Sequence, residues 1–528
     1  MSYVLGFDAS TQSFSATLVD SSSLVVIGEI TVNFGADLPQ YNAPSGFIPD
    51  DSQGGTGEVH ANPLMWLDAL DLLMSRIVAE QWPLAEVVAI CGSGQQHGSV
   101  YLNSQFEQVL GVLSPELSLA EQIKNTLSRA TSPIWMDNST RIECDEIAAA
   151  VGGDDRVCAI SGSIAIERFT GPQIRKFAKM QPAAYASTQY IHLVSSFFAS
   201  IFAGKSAAID TGDGAGMNLM NLATQDWDAE LVAATAEGLG AKLPVVAKPH
   251  TPIGSIANYF VSKYGFNSEA KVYAWSGDNP CSLVGMGAST AGKMIISLGT
   301  SYTLFAAMDK PLTAPNGFGH VFGNPMGGYM SLICFKNGSL AREEVRKSKQ
   351  TEQEEQLDWA KFGTDYLAQT PVGNDGKLML PFYEPEITPL MALDNPATND
   401  WSLEDESAAV QIRACLEGQF LNMRVHSEWL GDKPSQILLT GGGSKSDEIC
   451  QIAADIFGAQ VVRMQIAGSA SLGAAIMAGV ASKQASLEQF ELALCQLDHE
   501  ASISPDEAAH QKYNQLMPAF NQLITNNS

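Results

Sequence analysis

Basic residues are scarce in this chain. Lys and Arg number 30 against 57 Asp and Glu over 528 residues, giving a formal net charge of −27. A field of that sign repels nucleic acid and anionic membranes, so neither is an expected partner. Cysteine is sparse and scattered, with eight residues and no CxxC pair. In so long a chain these read as reduced, buried thiols of a cytoplasmic protein. Met1 to Asp8 has no basic stretch and meets an acid early, so it does not read as a signal peptide. Long hydrophobic runs are missing as well. The one extended uncharged stretch, Gln465 to Ser482, is broken by Gly468, Gly473, Gly479 and several serines. It reads as a buried small-residue loop and helix, not a membrane span.

Several signatures are absent. There is no HExxH and no Cys or His cluster at ligand spacing, which leaves zinc unsupported. No GxGxxG follows a strand, so a dinucleotide site is unsupported. Gly287 to Lys293 does spell GxxxxGK. However, Met294 stands where a phosphate loop needs Ser or Thr for Mg2+, and Ile295-Ile296-Ser297-Leu298 reads as a strand where a helix is required. Hydrophobic residues make up 45% of the chain, so it is globular, and its length gives a prior of about three or four domains.

What is present is a repeated hairpin. Tyr3 to Phe7 is apolar, Asp8 to Ser13 is a turn of small and hydroxyl residues, and alternation resumes through Val19. Met294 to Ile296 leads in the same way into Ser297-Leu298-Gly299-Thr300-Ser301 and Tyr302 to Phe305. Thr11 and Thr300 stand 289 positions apart, which suggests a duplicated fold of two related lobes. Val87 to Ile90 and Ile437 to Leu439 read as buried strands, and Gln411 to Leu430 as a long helix. The class is therefore α/β. A lobe boundary is expected near Tyr264 to Lys271, giving lobes 1–270 and 271–528, with Val272 to Trp275 opening the second. The tail after Gly479 reads as helical, fraying at Asn526 to Ser528.

Small-residue turns point backbone N–H groups and hydroxyls at phosphates, because the backbone itself must approach the ligand. Asp8, at a strand end, suits a hydrated Mg2+. Two such hairpins can grip one triphosphate from both sides of a cleft. Gly92-Ser93-Gly94-Gln95-Gln96-His97-Gly98 follows a strand and offers amides and an imidazole to a polyol. Trp135-Met136-Asp137 with Arg141, and Glu167-Arg168-Phe169-Thr170-Gly171, are similar polar and aromatic mixtures. Trp275-Ser276-Gly277-Asp278-Asn279-Pro280 puts an acid at the end of an apolar strand, where it can take a proton from a hydroxyl. Thr440-Gly441-Gly442-Gly443-Ser444-Lys445-Ser446 lets the backbone lie flat against a planar base, and Ala467 to Gly473 is a candidate far wall.

Together these segments resemble the FGGY family of carbohydrate kinases over nearly the whole chain. The resemblance rests on Asp8 to Gln12, Ser93 to Tyr101, Trp135 to Asp137, Glu167 to Gly171 and Gly212-Asp213-Gly214-Ala215-Gly216-Met217-Asn218-Leu219. It continues with Gly277 to Pro280, Ser297 to Ser301, Cys334-Phe335-Lys336-Asn337-Gly338-Ser339-Leu340 and the triple glycine. It implies two ribonuclease-H-like lobes, as in actin and hexokinase, around a deep cleft. It further implies transfer of the γ-phosphoryl of ATP, with Mg2+, to the 5-hydroxyl of a ketose, D-xylulose. By the resemblance Asp278 is the catalytic base, and His97, Arg168, Asp278 and Asn279 bind the sugar, with Gln96 as a further candidate. Asp213 is the main rival acid, because its Gly-Asp-Gly-Ala-Gly setting suits a tight turn lining the cleft, and it is a secondary site candidate. Asp8, Thr11, Gln12, Gly299 and Thr300 would face metal and phosphates, and Gly442, Gly443 and Ser446 the adenosine. The turn departs from many members in having Ser10 where they carry Gly. A homodimer fits the family, although no interface stripe stands out. Another ketose or a polyol is the nearest alternative acceptor. A non-enzymatic actin-like ATP-binding protein would need neither the polar pocket nor Asp278. Ser10 to Ser13 and Ser297 to Ser301 contain no acid, so the acidic excess is expected on the outer surface and not in the cleft.

Overall fold

A computed structural model describes residues 2–49, 56–348, 366–431, 433–464, 470–495 and 497–528. Two seven-stranded sheets organise it. The first is built from β1 (Tyr3–Ala9), β2 (Ser13–Asp20), β3 (Val25–Asn33), β4 (Val87–Gly94), β5 (Pro252–Ser255), β6 (Lys271–Tyr273) and β7 (Ser276–Gly277). Its order is β5-β6-β4-β1-β2-β3, with β7 also on β4. The second contains β8 (Lys293–Leu298), β9 (Tyr302–Met308), β10 (Gly319–Gly323), β11 (Tyr329–Phe335), β12 (Gln436–Thr440), β13 (Gln460–Met464) and β14 (Leu497–Ile503). Its order is β10-β11-β9-β8-β12-β13-β14.

The two sheets repeat one pattern. In the first, β1 pairs antiparallel with β2, β2 antiparallel with β3, and β1 parallel with β4, which is parallel to β6. In the second, β8 pairs antiparallel with β9, β9 antiparallel with β11, and β8 parallel with β12, which is parallel to β13. An antiparallel strand closes each far side, β5 on β6 and β14 on β13. The half-chain spacing of the hairpins thus reports a true structural repeat. The register agrees: Asp8 lies opposite Ser15 and Ser93, and Ser297, which is 289 positions later, lies opposite Thr303 and Thr440.

The expected boundary at 270/271 cuts the first sheet. β6 and β7 both pair with β4, so the strand expected to open the second lobe closes the first. The strands change sheets between Gly277 and Lys293. Sequence order misleads again near the end of the chain. The helix Ala470–Ala481 returns to the first core, where Ala475, Ile476 and Ala478 pack with Val4, Leu5 and Ile90. The tail is not all helix, because β14 intervenes, and the last helix, Glu507–Asn527, runs to the end without fraying. A third cluster, with Tyr101, Ile147, Phe177 and Leu219, forms the core of an insertion between β4 and β5.

Small residues explain the return of Ala470–Ala481. A Cβ on Gly6 of β1 would stand 2.0 Å from Ser471 O, and one on Gly473 would stand 1.9 Å from Cys281 O. Ser471 Oγ and Thr17 Oγ1 share a hydrogen bond of 2.7 Å. The helix is wedged between β1 and the helix Asp278–Gly285, so backbone meets backbone on both sides. The small-residue stretch is therefore a packing seam. Of the far wall expected at Ala467 to Gly473, residues 467–469 lie outside the described residues, and Ser471 and Gly473 are occupied in the seam. All eight thiols are free, and seven are buried. Lys293 opens a strand and its Nζ pairs with Glu491 at 2.8 Å, which disposes of the phosphate-loop lookalike. No helix among the described residues is long and apolar enough to cross a membrane.

Replacing Gly473 by Val should cost about 2 kcal/mol or more by overpacking the seam, with urea unfolding as the measurement. A midpoint within error of the parent would contradict the wedge.

Candidate active site

Parallel strands end at one edge, and that edge gathers the acids. β1, β4 and β7 run in one direction. Asp8 stands one residue before the end of β1, and Ser93 Oγ donates to its Oδ1 at 2.5 Å. Gly277 ends β7 opposite Gly94, and Asp278 follows as the first residue of the helix Asp278–Gly285. Asp278 Oδ1 accepts from the N–H of Asn279 at 2.8 Å, from Asn279 Nδ2 at 3.2 Å and from the N–H of Gln96 at 3.4 Å. Asn279 Nδ2 also donates to Gln96 Oε1 at 2.7 Å. Oδ2 of Asp278 makes no hydrogen bond among the described residues, and the residue is half-buried. One oxygen is fixed by the chain, leaving the other for a ligand.

Burial pushes the Asp278 carboxyl up to about 7, and the Asp8 charge adds to the rise. Burial raises Asp8 to about 6 against the Ser93 hydrogen bond, and it raises Asp210 to about 6. Asp213 is held well above the ordinary carboxylate range by burial, with Asp210 and Asp278 contributing. Asp8 and Asp278 are the two acids expected at the site, and the buried Asp210 and Asp213 approach them from the interior. Four carboxylates converge because several strand and helix ends meet at one sheet edge.

Asp213 does not line the cleft. It is fully buried and accepts a short hydrogen bond from Ser195 Oγ. It also sits in a turn capped by Asp210, whose carboxylate accepts from the N–H groups of Gly212 and Asp213. A Cβ on Gly277 would meet Asp213 Oδ1 at 3.0 Å and Gln96 Nε2 at 2.9 Å, so Asp213 stands beneath the Asp278 strand. Asp213 Oδ1 and Gln96 Nε2 are buried without hydrogen-bond partners. Asp210 and Ser195 were not singled out in the sequence. Asp210 precedes a Thr-Gly turn and was visible in principle, whereas Ser195 sits in an apolar helix and gave no signal.

His97 lies behind the first sheet's edge at φ +69°, with its Nδ1 2.8 Å from Gly216 O. A carbonyl only accepts, so Nδ1 carries the proton and Nε2 is an acceptor. Burial pushes the imidazole down to about 3, and the Arg168 charge assists, so the ring is neutral. Arg168 is half-buried and has no ion pair among the described residues. Arg141, by contrast, pairs with Asp145 and Glu167 on the surface and is not part of the site. In the first hairpin, Thr11 Oγ1 accepts from Trp135 Nε1 at 2.8 Å, and Gln12 is exposed with its carbonyl bonded to the Phe34 N–H at 2.9 Å.

On the second sheet a cavity of about 760 Å³ opens between the β8–β9 turn and the loop after β12. Gly299, Thr300, Gly442, Gly443 and Ser446 all line it. Arg342 and Glu343 line it too, from the helix Ser339–Ser348, whose charged sequence gave no warning. Glu343, Asp447 and Glu448 put further acids on its wall. Ser446 caps the helix Asp447–Phe457, its Oγ accepting from the Ile449 N–H at 3.3 Å. Gly442 has nothing within 4 Å of where a Cβ would stand, so its missing side chain is not demanded by the fold.

Among the described residues, no three or more His, Cys, Asp or Glu side chains form a metal cage. Asp8 and Asp278 bring carboxylates to this edge. That donor set fits Mg2+, which keeps most of its waters and takes phosphate oxygens as ligands.

Two sheets of one topology, one edged with carboxylates and the other bearing a glycine-lined cavity, define a two-lobed phosphotransferase of the actin and hexokinase fold. The models of the N- and C-terminal domains of the FGGY family of carbohydrate kinases match residues 116–285 and 294–482. The chain belongs to this family. It is 42% identical to xylulose kinase 2 of Arabidopsis thaliana over 494 residues, covering 90% of this chain and 87% of that protein. It is 38% identical to the xylulose kinase of Rattus norvegicus over 528 residues, covering 98% and 96%. Its fold is that of a gluconate kinase from Lactobacillus acidophilus, with a TM-score of 0.78 at 20% identity over 99% and 98% of the two chains.

The raised Asp278 carboxyl has a stability consequence. A folded value of about 7 against an unfolded value of about 4 favours folding below the unfolded value. That contribution is lost as pH rises through the folded one. Asp278→Asn keeps the accepting oxygen and removes the charge. Its thermal midpoint should exceed the parent's at pH 8, with the gap closing toward pH 4. A gap that widens on acidification would refute the account.

Proposed function

We propose that this chain transfers the γ-phosphoryl of ATP to the 5-hydroxyl of D-xylulose, giving D-xylulose 5-phosphate and ADP. The full-length similarity to proteins named xylulose kinase supports the acceptor. The observation that carries the chemistry is Asp278, whose carboxyl is raised to about 7 and has one oxygen fixed and one open. A base is most effective when its value lies near the working pH.

His97 Nε2 accepts from a sugar hydroxyl, and Arg168, Asn279 and Gln96 orient the chain of hydroxyls. Gly442, Gly443 and Ser446 hold the adenosine side of ATP, while the Gly299-Thr300 turn and the first hairpin at Thr11 and Gln12 face its phosphates through N–H groups and hydroxyls. Asp8 would hold Mg2+, which would supply charge neutralisation at the phosphates. As the 5-oxygen bonds to the γ-phosphorus, the bond from that phosphorus to the β-bridging oxygen breaks, and the hydroxyl proton passes to Asp278. Positioning does most of the work, and the base contributes about 10²- to 10⁴-fold. Asp213, buried beneath Gln96, supports the floor and does not touch the sugar.

Asp278→Asn should lower kcat at least about a hundredfold while ketose binding stays measurable by calorimetry. Near-parental turnover would remove Asp278 from the base role. ADP release across a panel of pentuloses, hexuloses and polyols should peak on D-xylulose, and a higher kcat/KM elsewhere would reassign the acceptor. Gly442→Val should raise KM for ATP about tenfold or more, because the new side chain enters ligand space. Its thermal midpoint should not change, and a KM within twofold would take the adenosine out of this cavity.

A further inference from the structure

The edge strand of the second sheet reaches the sugar side of the cleft. β10 carries His320 and Phe322 two residues apart, hence on one face. The Val321 N–H donates to Gly162 O at 3.0 Å, tying β10 to the segment that precedes Arg168. His320 Nδ1 lies 3.2 Å from Ser163 Oγ. Its ring stands edge-on to Phe169, with centroids 5.4 Å apart and planes at 78°. Phe169 also meets His97, with centroids 4.7 Å apart. Phe322 lies 6.4 Å from His97 and 6.3 Å from His320.

His320 thus repeats the circumstances of His97. The two rings are 8% and 6% exposed. Each spends Nδ1 on an oxygen of the protein, and neither Nε2 has a hydrogen bond among the described residues. The Arg168 charge acts on both, and burial keeps both neutral. Packing against Phe169 and Phe322 requires only a ring, which phenylalanine would supply without an unpaired nitrogen. Neither Nε2 is among the fully buried atoms left without a partner, so each is reached by solvent and is open to a ligand hydroxyl.

We propose that His320 is a further sugar-binding residue, its Nε2 pairing with a hydroxyl of the ketose held by His97 and Arg168. The second lobe then reads the sugar as well as the nucleotide. A neutral imidazole offers either a donor or an acceptor, and the Ser163 hydroxyl, able to take either role, is compatible with both tautomers. This inference rests on the ketose-kinase reading above.

The test is steady-state kinetics of His320→Phe, which keeps the ring and its stacking, on D-xylulose and a series of monodeoxy ketoses. KM for D-xylulose should rise about tenfold or more, with KM for ATP within about twofold of the parent. For the one deoxy analogue that lacks the contacted hydroxyl, the variant and parent should have equal KM. A sugar KM within twofold of the parent, or the same rise for every analogue, overturns the inference while leaving parental turnover intact. If the parent itself shows no sugar-stimulated ADP release, the kinase reading fails and takes this inference with it. Should His320→Phe not fold, His320→Asn is read by the same criteria.

Discussion

The contact on which the rest depends is the seam between β1, the helix Ala470–Ala481 and the helix Asp278–Gly285. Gly6 and Gly473 let three backbones approach as closely as packing allows. β1 carries Asp8, and the third member begins with Asp278. The wedge therefore sets the spacing of the two acids at the cleft. It also stitches the chain's late residues into its first core, so neither lobe is made from one continuous half. Interiors this tightly packed transmit small displacements instead of absorbing them.

A second constraint is electrostatic. Strand ends meeting at one edge bring Asp8, Asp210, Asp213 and Asp278 together, and burial raises all four. That is unfavourable for folding at neutral pH, and it leaves the Asp278 carboxyl poised near neutrality, as the proposed base role requires. The equivalent position on the second sheet is Ser297, with Thr303 and Thr440 beside it in register. At this register position the repeated fold presents an acid on the first sheet and a hydroxyl on the second.

Much of this was legible in the sequence, for identifiable reasons. Hairpins with small-residue turns show themselves locally, so the repeat and the positions of Asp8, Gly299 and Thr300 could be read. A glycine run after a strand is equally local, and Gly442 and Gly443 do line the cavity. What failed was anything set by contacts between distant segments. The lobe boundary was misplaced because Lys271–Tyr273 looks like any new strand until its partner, β4, is known. Asp213 looked like a cleft residue because its turn chemistry does not say which side of the sheet it occupies. Arg342, Glu343 and His320 gave no signal, since a charged helix and an apolar edge strand are ordinary until something faces them.

The sequence by itself determined the α/β class, the duplication, the absence of zinc and dinucleotide signatures, and the segments that carry chemistry. These follow from periodicity, turn residues and charge, which act over a few neighbours. Only the tertiary structure decided which acids share an edge, that a small-residue stretch is a packing seam, that Asp213 is buried beneath Gly277, and that β10 packs on the segment around Phe169. Each of those depends on bringing together residues up to several hundred positions apart. Burial and close packing fix such meetings, and local pattern carries no record of them.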